Sequence, residues 1–368
     1  METTTLRRGL PTVTDPDARR GGTLDVALVL THACNLACAY CYTGEKKRVR
    51  MSTDVARRGL SAALSTAAAA GARLQLSFFG GEPLLEHELL LAIAAEARAR
   101  SQAEGIALVQ QVTTNGTLLT EALVEQLATH AVHVAISLDG GPAQHDALRP
   151  LAGGGASWPA SHRGLELLLA RRERTPFDVI AVVDPRTVDA LGDGVRALLD
   201  EGVDALTLNI NVGSPWSESE LERLERQLEL IAALQLAWLR RGRWVRIQPF
   251  EAALRSIASS GRVEPSSCSA GVRRLAIAPS GRIYGCARAV GEDTGARALG
   301  HLDEGLPAPR ALGPGCACAS AEESGDPTVA GPAQLRHDRI VAQVAARLAA
   351  RLAAEYELIH IVERGAAP

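Results

Sequence analysis

Cys34, Cys38 and Cys41 fall within eight positions of the stretch THACNLACAYCYTGEK, residues 31–46, in the spacing C-x3-C-x2-C. Three thiols on one short loop cannot form a closed set of disulfides. They are also one ligand short of a structural zinc site. They do suit a metal cluster that keeps one position open. An iron–sulfur cube has four irons, each needing an outer ligand. Three thiolates would leave one iron available to a small molecule, as catalytic metal sites leave a coordination position available. Ligands four and three residues apart let one compact turn wrap three corners of a cube. On spacing alone, the alternatives are a zinc site that borrows a distant ligand, and buried cysteines with no metal.

Four further cysteines, Cys268, Cys286, Cys316 and Cys318, lie toward the other end of the chain. At 368 residues there is room for one large domain and a smaller one. The net charge of −3 gives no general attraction to nucleic acid. The opening METTTLRRGLPTVTD has no apolar signal-peptide core. No apolar run reaches the roughly 18 residues needed to cross a membrane. The expected location is cytoplasmic, where thiols stay reduced. Seven cysteines then read as metal ligands or catalytic thiols.

The elements that must position these thiols are legible as a rhythm. LDVALVL (24–30), LQLSFF (74–79), ALVQQVTT (107–114), VHVAISL (132–138), FDVIAVV (177–183) and ALTLNI (205–210) read as strands. Helical patterns over 54–70, 86–104, 121–129 and 187–200 alternate with them, and Thr120 is placed to cap the third. A longer helix carries Leu221, Leu224, Leu228, Ile231 and Leu234. Six strand–helix units predict a parallel sheet with crossover helices. The fold class is α/β, a partial (β/α)6 barrel with a small C-terminal α+β domain that contains cysteines. The strand runs read as apolar on both faces. The polar motifs lie just after strands, the catalytic end of such barrels. The expected division is an arm over 1–22, the barrel over 23–241 and a second domain over 242–368. In that last region RLAIAPSGRIYGC (274–286) predicts a hairpin turning at Pro279-Ser280-Gly281. A final helix over 338–362 has Val341, Val344, Leu348, Leu352 and Tyr356 on one stripe, suited to docking on the body.

The motif C-x3-C-x2-C with Tyr40 before the last cysteine, after the first strand of a partial barrel, resembles the radical S-adenosylmethionine (SAM) enzymes. FFGGEP (78–83), TTNG (113–116), SLDG (137–140) and HDALR (145–149) extend the resemblance across about residues 24–240. It implies a [4Fe–4S] cluster on Cys34, Cys38 and Cys41, whose open iron chelates SAM. Reductive cleavage of SAM would then yield a 5′-deoxyadenosyl radical that takes a hydrogen atom from the substrate. It places Tyr40 near the adenine, and Gly80, Gly81, Glu82 and Pro83 at the methionine amino group. There the glycines would admit a close backbone and Glu82 would supply a charge partner. Asn115 and Ser137 would face the same pocket, Arg149 would meet the methionine carboxylate, and Ile210 would touch adenine through its backbone. For Asn115, Ser137 and Asp139 the competing explanation is ordinary turn chemistry. His145 reads as structural.

The segment CSAGVRRLAIAPSGRIYGCARAVGED (268–293), with GHLDEG (300–305) and CACA (316–319), resembles a shortened auxiliary-cluster domain of the SPASM or twitch type. Its cysteines are fewer than in the full pattern, and none follows Cys318. Four thiols suffice for one auxiliary [4Fe–4S] cluster, on Cys268, Cys286, Cys316 and Cys318; a zinc site and no metal are the alternatives. Enzymes with this tail mostly modify ribosomal peptides or protein side chains. The implied partners are a precursor peptide or protein substrate and a reductant such as flavodoxin or ferredoxin. A formylglycine-forming sulfatase maturase is the second expectation, opposed by Ala287, where those enzymes carry an aspartate base. A reading of another class is a non-catalytic iron–sulfur or zinc scaffold, which would have no use for the SAM-pocket motifs.

Overall fold

The computed structural model describes residues 21–263, 269–308 and 331–355. All six expected strands form: β1 (Thr23–Val29), β2 (Arg73–Phe79), β3 (Leu108–Thr114), β4 (Val132–Ser137), β5 (Phe177–Val183) and β6 (Ala205–Ile210). Each pairs in parallel with the next. The intervening helices are α1 (Thr53–Ala70), α2 (His87–Glu104), α3 (Glu121–Thr129), α4 (Pro142–Leu148), α5 (Trp158–Leu169) and α6 (Leu191–Glu201). Local chemistry sets their ends. The Ser52 side chain accepts from Val55 N and Gly71, at φ +57°, closes α1. Thr120 caps α3 through Leu123 N as the sequence predicts. A reciprocal Ser217–Glu220 capping box starts α7 (Glu218–Arg240).

One core runs between the outer face of the strands and these helices. Val26, Leu28, Leu76, Phe78, Val112 and Ile136 pack there with Leu60, Leu64, Leu90 and Ile93. Fully burying one such side chain stabilises the fold by about 1.5–3 kcal/mol. The other face differs from the expectation of strands apolar on both sides. In β3 and β5 buried residues alternate with half-buried ones. That face carries Gln75, Gln111, His133 and Asp178, and His133 pairs with Asp178. The physical reason is that the sheet does not close: its order, β10-β9-β8-β1-β2-β3-β4-β5-β6-β7, leaves two ends, so the inner face is not filled as in a closed barrel.

Beyond β6 the chain extends the same sheet at both ends. β7 (Arg246–Gln248) joins β6 in parallel, and α8 (Phe250–Ser260) follows it. The predicted hairpin forms as β8 (Arg274–Ile277) and β9 (Arg282–Tyr284), turning on Gly281 at φ +85°. β8 then pairs in parallel with β1, from Asp25↔Arg274 to Leu28↔Ile277. A short α9 (Ala287–Val290) and the antiparallel β10 (Ala298–His301) complete this edge. A second, smaller core of Ala27, Val29, Ala276, Ala278, Tyr284 and Val290 seals it from the inner side.

The terminal helix α10 (Pro332–Glu355) begins six residues before the predicted start and docks on α7 and α8. Val344, Leu348 and Leu352 are buried, Val341 packs against them, and Arg347 pairs with Glu225. The expected arm up to residue 20, the stripe position Tyr356, and Cys268, Cys316 and Cys318 lie outside the described residues. Among those described, no helix is long and apolar enough to cross a membrane.

Candidate metal centre and cofactor pocket

The loop after β1 carries the three cysteines across the C-terminal ends of the strands, and its backbone is tied on three sides. Gly81 N donates to Thr31 O at 2.8 Å and Glu82 N to Ala33 O at 2.9 Å. His32 N donates to Val49 O at 2.8 Å. Ala37 N and Ala39 N donate to Pro150 O and Leu148 O, each at 2.8 Å, beside the end of α4. These bonds satisfy backbone groups of the loop that its burial would otherwise leave unpaired.

Cys34, Cys38 and Cys41 are half-buried and outside any disulfide. Cys34 Sγ accepts from Leu36 N at 3.4 Å, with Asn115 Nδ2 at 4.0 Å. Cys41 Sγ has Lys46 Nζ at 2.7 Å and Thr43 Oγ1 at 3.2 Å. Burial pushes the Cys38 thiol up to about 11, with Arg149 pulling it back and Cys41 and Cys34 adding to the rise. Burial also raises Cys34. At Cys41 burial acts the same way, but the hydrogen bonds from Lys46 and Thr43 outweigh it and lower the thiol. Among the described residues, no three His, Cys, Asp or Glu side chains stand close enough to hold a single metal ion. Zinc–sulfur bonds of about 2.3 Å put tetrahedral ligands under about 4 Å apart. A cube spreads its thiolates more widely. Three unpaired thiols within mutual electrostatic reach, with N–H donors already aimed at two of them, fit a cluster.

The strand ends beside this loop place the other predicted residues. Gly80 and Gly81 lie against the cysteine loop itself: a Cβ on them would sit 2.6 Å from Thr31 O and 2.2 Å from Ala33 O. The close approach they admit is that of the chain's own cysteine loop. Glu82 is fully buried. Its Oε1 accepts from Leu84 N at 3.0 Å and Thr114 Oγ1 at 2.7 Å, and its Oε2 from Asn115 N at 2.8 Å. It ties the ends of β2 and β3 together, with three protein donors on its two oxygens. Burial lifts its carboxyl to about 7 against those hydrogen bonds. Pro83, also buried, opens the short turn that follows. Asn115 forms a turn with Thr117, donates to Asn35 Oδ1 at 2.9 Å, and so steadies the residue next to Cys34.

Arg149 stands beside the same loop, paired with a buried carboxylate. Its Nε lies 2.9 Å from Asp139 Oδ2 and its Nη2 3.0 Å from Oδ1, with both groups buried. The carboxylate it meets is the protein's own. Tyr40 hydroxyl also binds Asp139, and its ring lies under the guanidinium, 5.3 Å from centroid to Cζ. Asp139 additionally accepts from Val182 N at 2.8 Å, linking β4 to β5. His145, held neutral by burial and Arg149 with its ring lowered to about 4, bridges Asp139 N and Ser157 Oγ. Its structural reading agrees with this. Ser137 is half-buried at the end of β4, and Ile210 half-buried at the end of β6.

Sequence reasoning passed over a further strand-end group. Asp184, directly after β5, accepts from Arg186 Nε at 2.6 Å and Nη2 at 2.9 Å, from Asn211 Nδ2 at 2.9 Å and from Ser214 Oγ at 3.2 Å. Burial alone would raise its carboxyl, but Arg186 and Asn211 bring it down to about 2. The Arg186 side chain keeps 52% of its surface exposed and lies within electrostatic reach of Tyr40. The rule that located the other motifs, a polar residue just after a strand, would also have found Asp184.

A thiol-bearing loop ringed by the polar ends of an open parallel barrel defines a metallocofactor-dependent α/β-barrel enzyme. The sequence matches the Radical SAM superfamily over residues 28–228, more than half of the chain, and the protein belongs to that superfamily. Its cofactors are accordingly a [4Fe–4S] cluster and SAM. It is 27% identical over 285 residues to the serine-type anaerobic sulfatase-maturating enzyme of Klebsiella aerogenes, covering 74% of this chain and 67% of that protein. With the Klebsiella pneumoniae enzyme of the same name it shares 33% over 153 residues, 41% of this chain and 38% of the other. Its fold resembles the solved anSMEcpe with bound AdoMet and Kp18Cys peptide, at TM-score 0.66 and 18% identity over 77% of this chain and 79% of that one. It also resembles Streptococcus suis SuiB bound to precursor peptide SuiA, at TM-score 0.55 and 16% identity over 79% and 66%.

Proposed function

We propose that this radical SAM enzyme modifies a side chain of a peptide or protein, as a maturase that crosslinks a ribosomally made precursor through a carbon–carbon, thioether or cyclophane bond. The observation that carries the reading is the position of the C-terminal hairpin. β8 adds to the barrel sheet beside β1 and brings Cys286 to the cysteine loop, where Tyr42 is within electrostatic reach of both Cys41 and Cys286. An auxiliary cluster needs its own set of thiolates; Cys286 would be one of them, with Cys268, Cys316 and Cys318, which lie outside the described residues, as the others. Two similar solved structures, anSMEcpe with Kp18Cys peptide and SuiB with precursor peptide SuiA, hold bound peptides, which supports a peptide substrate for this chain.

When bound, the cluster and SAM supply a carbon radical that abstracts a hydrogen atom. The protein's own residues bind and orient. Cys34, Cys38 and Cys41 would hold the cluster, Tyr40 and Ile210 would serve the adenine, and Ser137 would offer a hydroxyl. Arg149 and Arg186, each paired with an aspartate, are strand-end cations suited to a carboxylate, and Arg186 keeps 52% of its side-chain surface exposed. An external low-potential donor, flavodoxin or ferredoxin, would supply the electron.

Formylglycine formation remains a second reading because of the similarity to sulfatase-maturating enzymes. Ala287 opposes it, since it puts a methyl group directly after Cys286 where a carboxylate base would be needed. One experiment separates the readings. Reconstituted, reduced protein is incubated with SAM and either a precursor peptide encoded beside its gene or a serine-type sulfatase peptide, and products are weighed by mass spectrometry. A two-hydrogen mass loss in the precursor with a new linkage supports the maturase; conversion of the sulfatase serine to an aldehyde replaces it with the second reading.

A further inference from the structure

The cysteine loop continues into Thr43-Gly44-Glu45-Lys46-Lys47, a segment that the cluster reading leaves without a role. Lys46 is half-buried and turns back on the loop. Its Nζ lies 2.7 Å from Cys41 Sγ and also contacts Thr43 Oγ1, itself 3.2 Å from the same sulfur. The three thiols are unequal in this respect. Cys34 receives a backbone N–H and a distant amide, and Cys38 receives no side-chain donor among the described residues. Among the described residues, Cys41 alone of the three has a cationic side chain in hydrogen-bond contact with its sulfur; Arg149 acts on Cys38, and Lys46 on Cys34, only through space.

Lys46 is held in place from the far end of the chain. The Glu292 carboxylate takes Glu45 N on Oε1 at 3.1 Å and Lys47 Nζ on Oε2 at 3.0 Å, one bond on each side of Lys46. Gly44 makes room for it: at φ +67°, a Cβ there would lie 2.6 Å from Glu292 Cγ and Oε1. Glu292 is itself fixed by its neighbour. Asp293 accepts from the buried Tyr284 hydroxyl at 2.8 Å, and its carbonyl accepts from Arg282 Nη1 at 2.8 Å. The C-terminal hairpin thus grips the segment that delivers the ammonium to Cys41.

We propose that Lys46 is a positioning and charge-bearing residue for the cluster, raising its reduction potential through a hydrogen bond to the Cys41 sulfur, and that Glu292 holds it there. The inference rests on the radical SAM assignment. Reduction adds negative charge to a cluster. A cation in hydrogen-bond contact with a ligand sulfur stabilises the reduced form more than the oxidised form, because net charge and hydrogen bonds to sulfur set such potentials. Partial exclusion of water makes the interaction stronger than it would be at the surface. Through Glu292, the hairpin side of the molecule controls how readily the barrel cluster takes an electron.

The test is an EPR-monitored redox titration of the full reconstituted chain. The signal that changes on adding SAM identifies the barrel cluster. At the wild-type midpoint, Lys46→Met should lower the reduced-to-oxidised ratio about tenfold, equivalent to a midpoint about 59 mV lower for one electron. Lys46→Arg should stay within about twofold of wild type, and Glu292→Ala should fall between the two, all with wild-type iron content. An unchanged midpoint in an iron-replete Lys46→Met protein would overturn the proposal. So would equal shifts in Lys46→Met and Lys46→Arg, which would show that packing and not charge matters. Iron loss confined to Lys46→Met would also overturn it, replacing redox tuning by a role in assembly. A wild-type chain that takes up no cluster would fail the radical SAM assignment instead.

Discussion

The guanidinium of Arg149 lies against the carboxylate of Asp139, Nε to Oδ2 at 2.9 Å and Nη2 to Oδ1 at 3.0 Å, with Tyr40 completing the buried group. This pair joins three things: the end of β4, the end of α4 and the tyrosine between two of the cysteines. Breaking a buried pair from one side leaves the other charge uncompensated, at a cost of about 3–5 kcal/mol. Arg149→Met should therefore lower the denaturation midpoint of the metal-free chain sharply. The double variant Asp139→Leu/Arg149→Met should recover much of that loss. Urea denaturation of the wild type, Asp139→Leu, Arg149→Met and Asp139→Leu/Arg149→Met checks this, and additive losses would exclude the coupling.

Cys34→Ala, Cys38→Ala and Cys41→Ala, combined, should remove the barrel cluster and with it all reductive SAM cleavage. The fold should survive, because the loop is held by backbone hydrogen bonds from Gly81, Glu82, Ala37 and Ala39 and not by its thiols. Iron analysis and 5′-deoxyadenosine release measure the loss, and circular dichroism the fold. SAM cleavage by the triple variant would refute the assignment.

Gly81→Ala tests the cradle beneath the loop. Its Cβ would be 2.2 Å from Ala33 O and 2.6 Å from Ala33 C, backbone atoms that cannot swing away as a side chain could. Overpacking of this kind costs about 1–3 kcal/mol. The expected outcome is lower stability together with weaker iron retention, since Ala33 precedes the first ligand. Normal iron content on gel filtration would show that the loop can shift without harm.

Three buried groups should shape the pH dependence of the metal-free chain, with opposite signs. His145 and His337 are lowered to about 4, so each contributes stability that is lost as pH falls from about 6.5 through 4. Glu82 is raised to about 7, so the folded chain binds its proton more readily than the unfolded chain between about 4.5 and 7. Its contribution falls as pH rises across that window, by at most about 1.4 kcal/mol per pH unit. Glu82→Gln should remove only this opposing part. Between pH 5 and 6.5 the variant should gain stability with pH more steeply than wild type, whatever its absolute offset. Parallel stability–pH curves would contradict the raised Glu82 pKa.

The six principal strands, the α3 cap at Thr120, the Gly281 hairpin turn and the stripe that docks α10 could all be read from the sequence. Each depends on interactions within about ten residues, or on a periodicity that burial enforces. So could the gathering of Cys34, Cys38, Cys41, Gly80–Pro83, Asn115 and Ser137 at one end of the sheet, because parallel strands put all their C-terminal ends on one side. The tertiary structure alone decided what those residues face. Which acceptor engages a carboxylate or guanidinium depends on neighbours distant in sequence. Glu82 turned out to bind the end of β3, and Arg149 to bind Asp139. The pairing of β8 with β1 and the grip of Glu292 on Lys47 span 249 and 245 positions. No local pattern encodes such contacts; they exist because one sheet brings the two ends of the chain to the same edge.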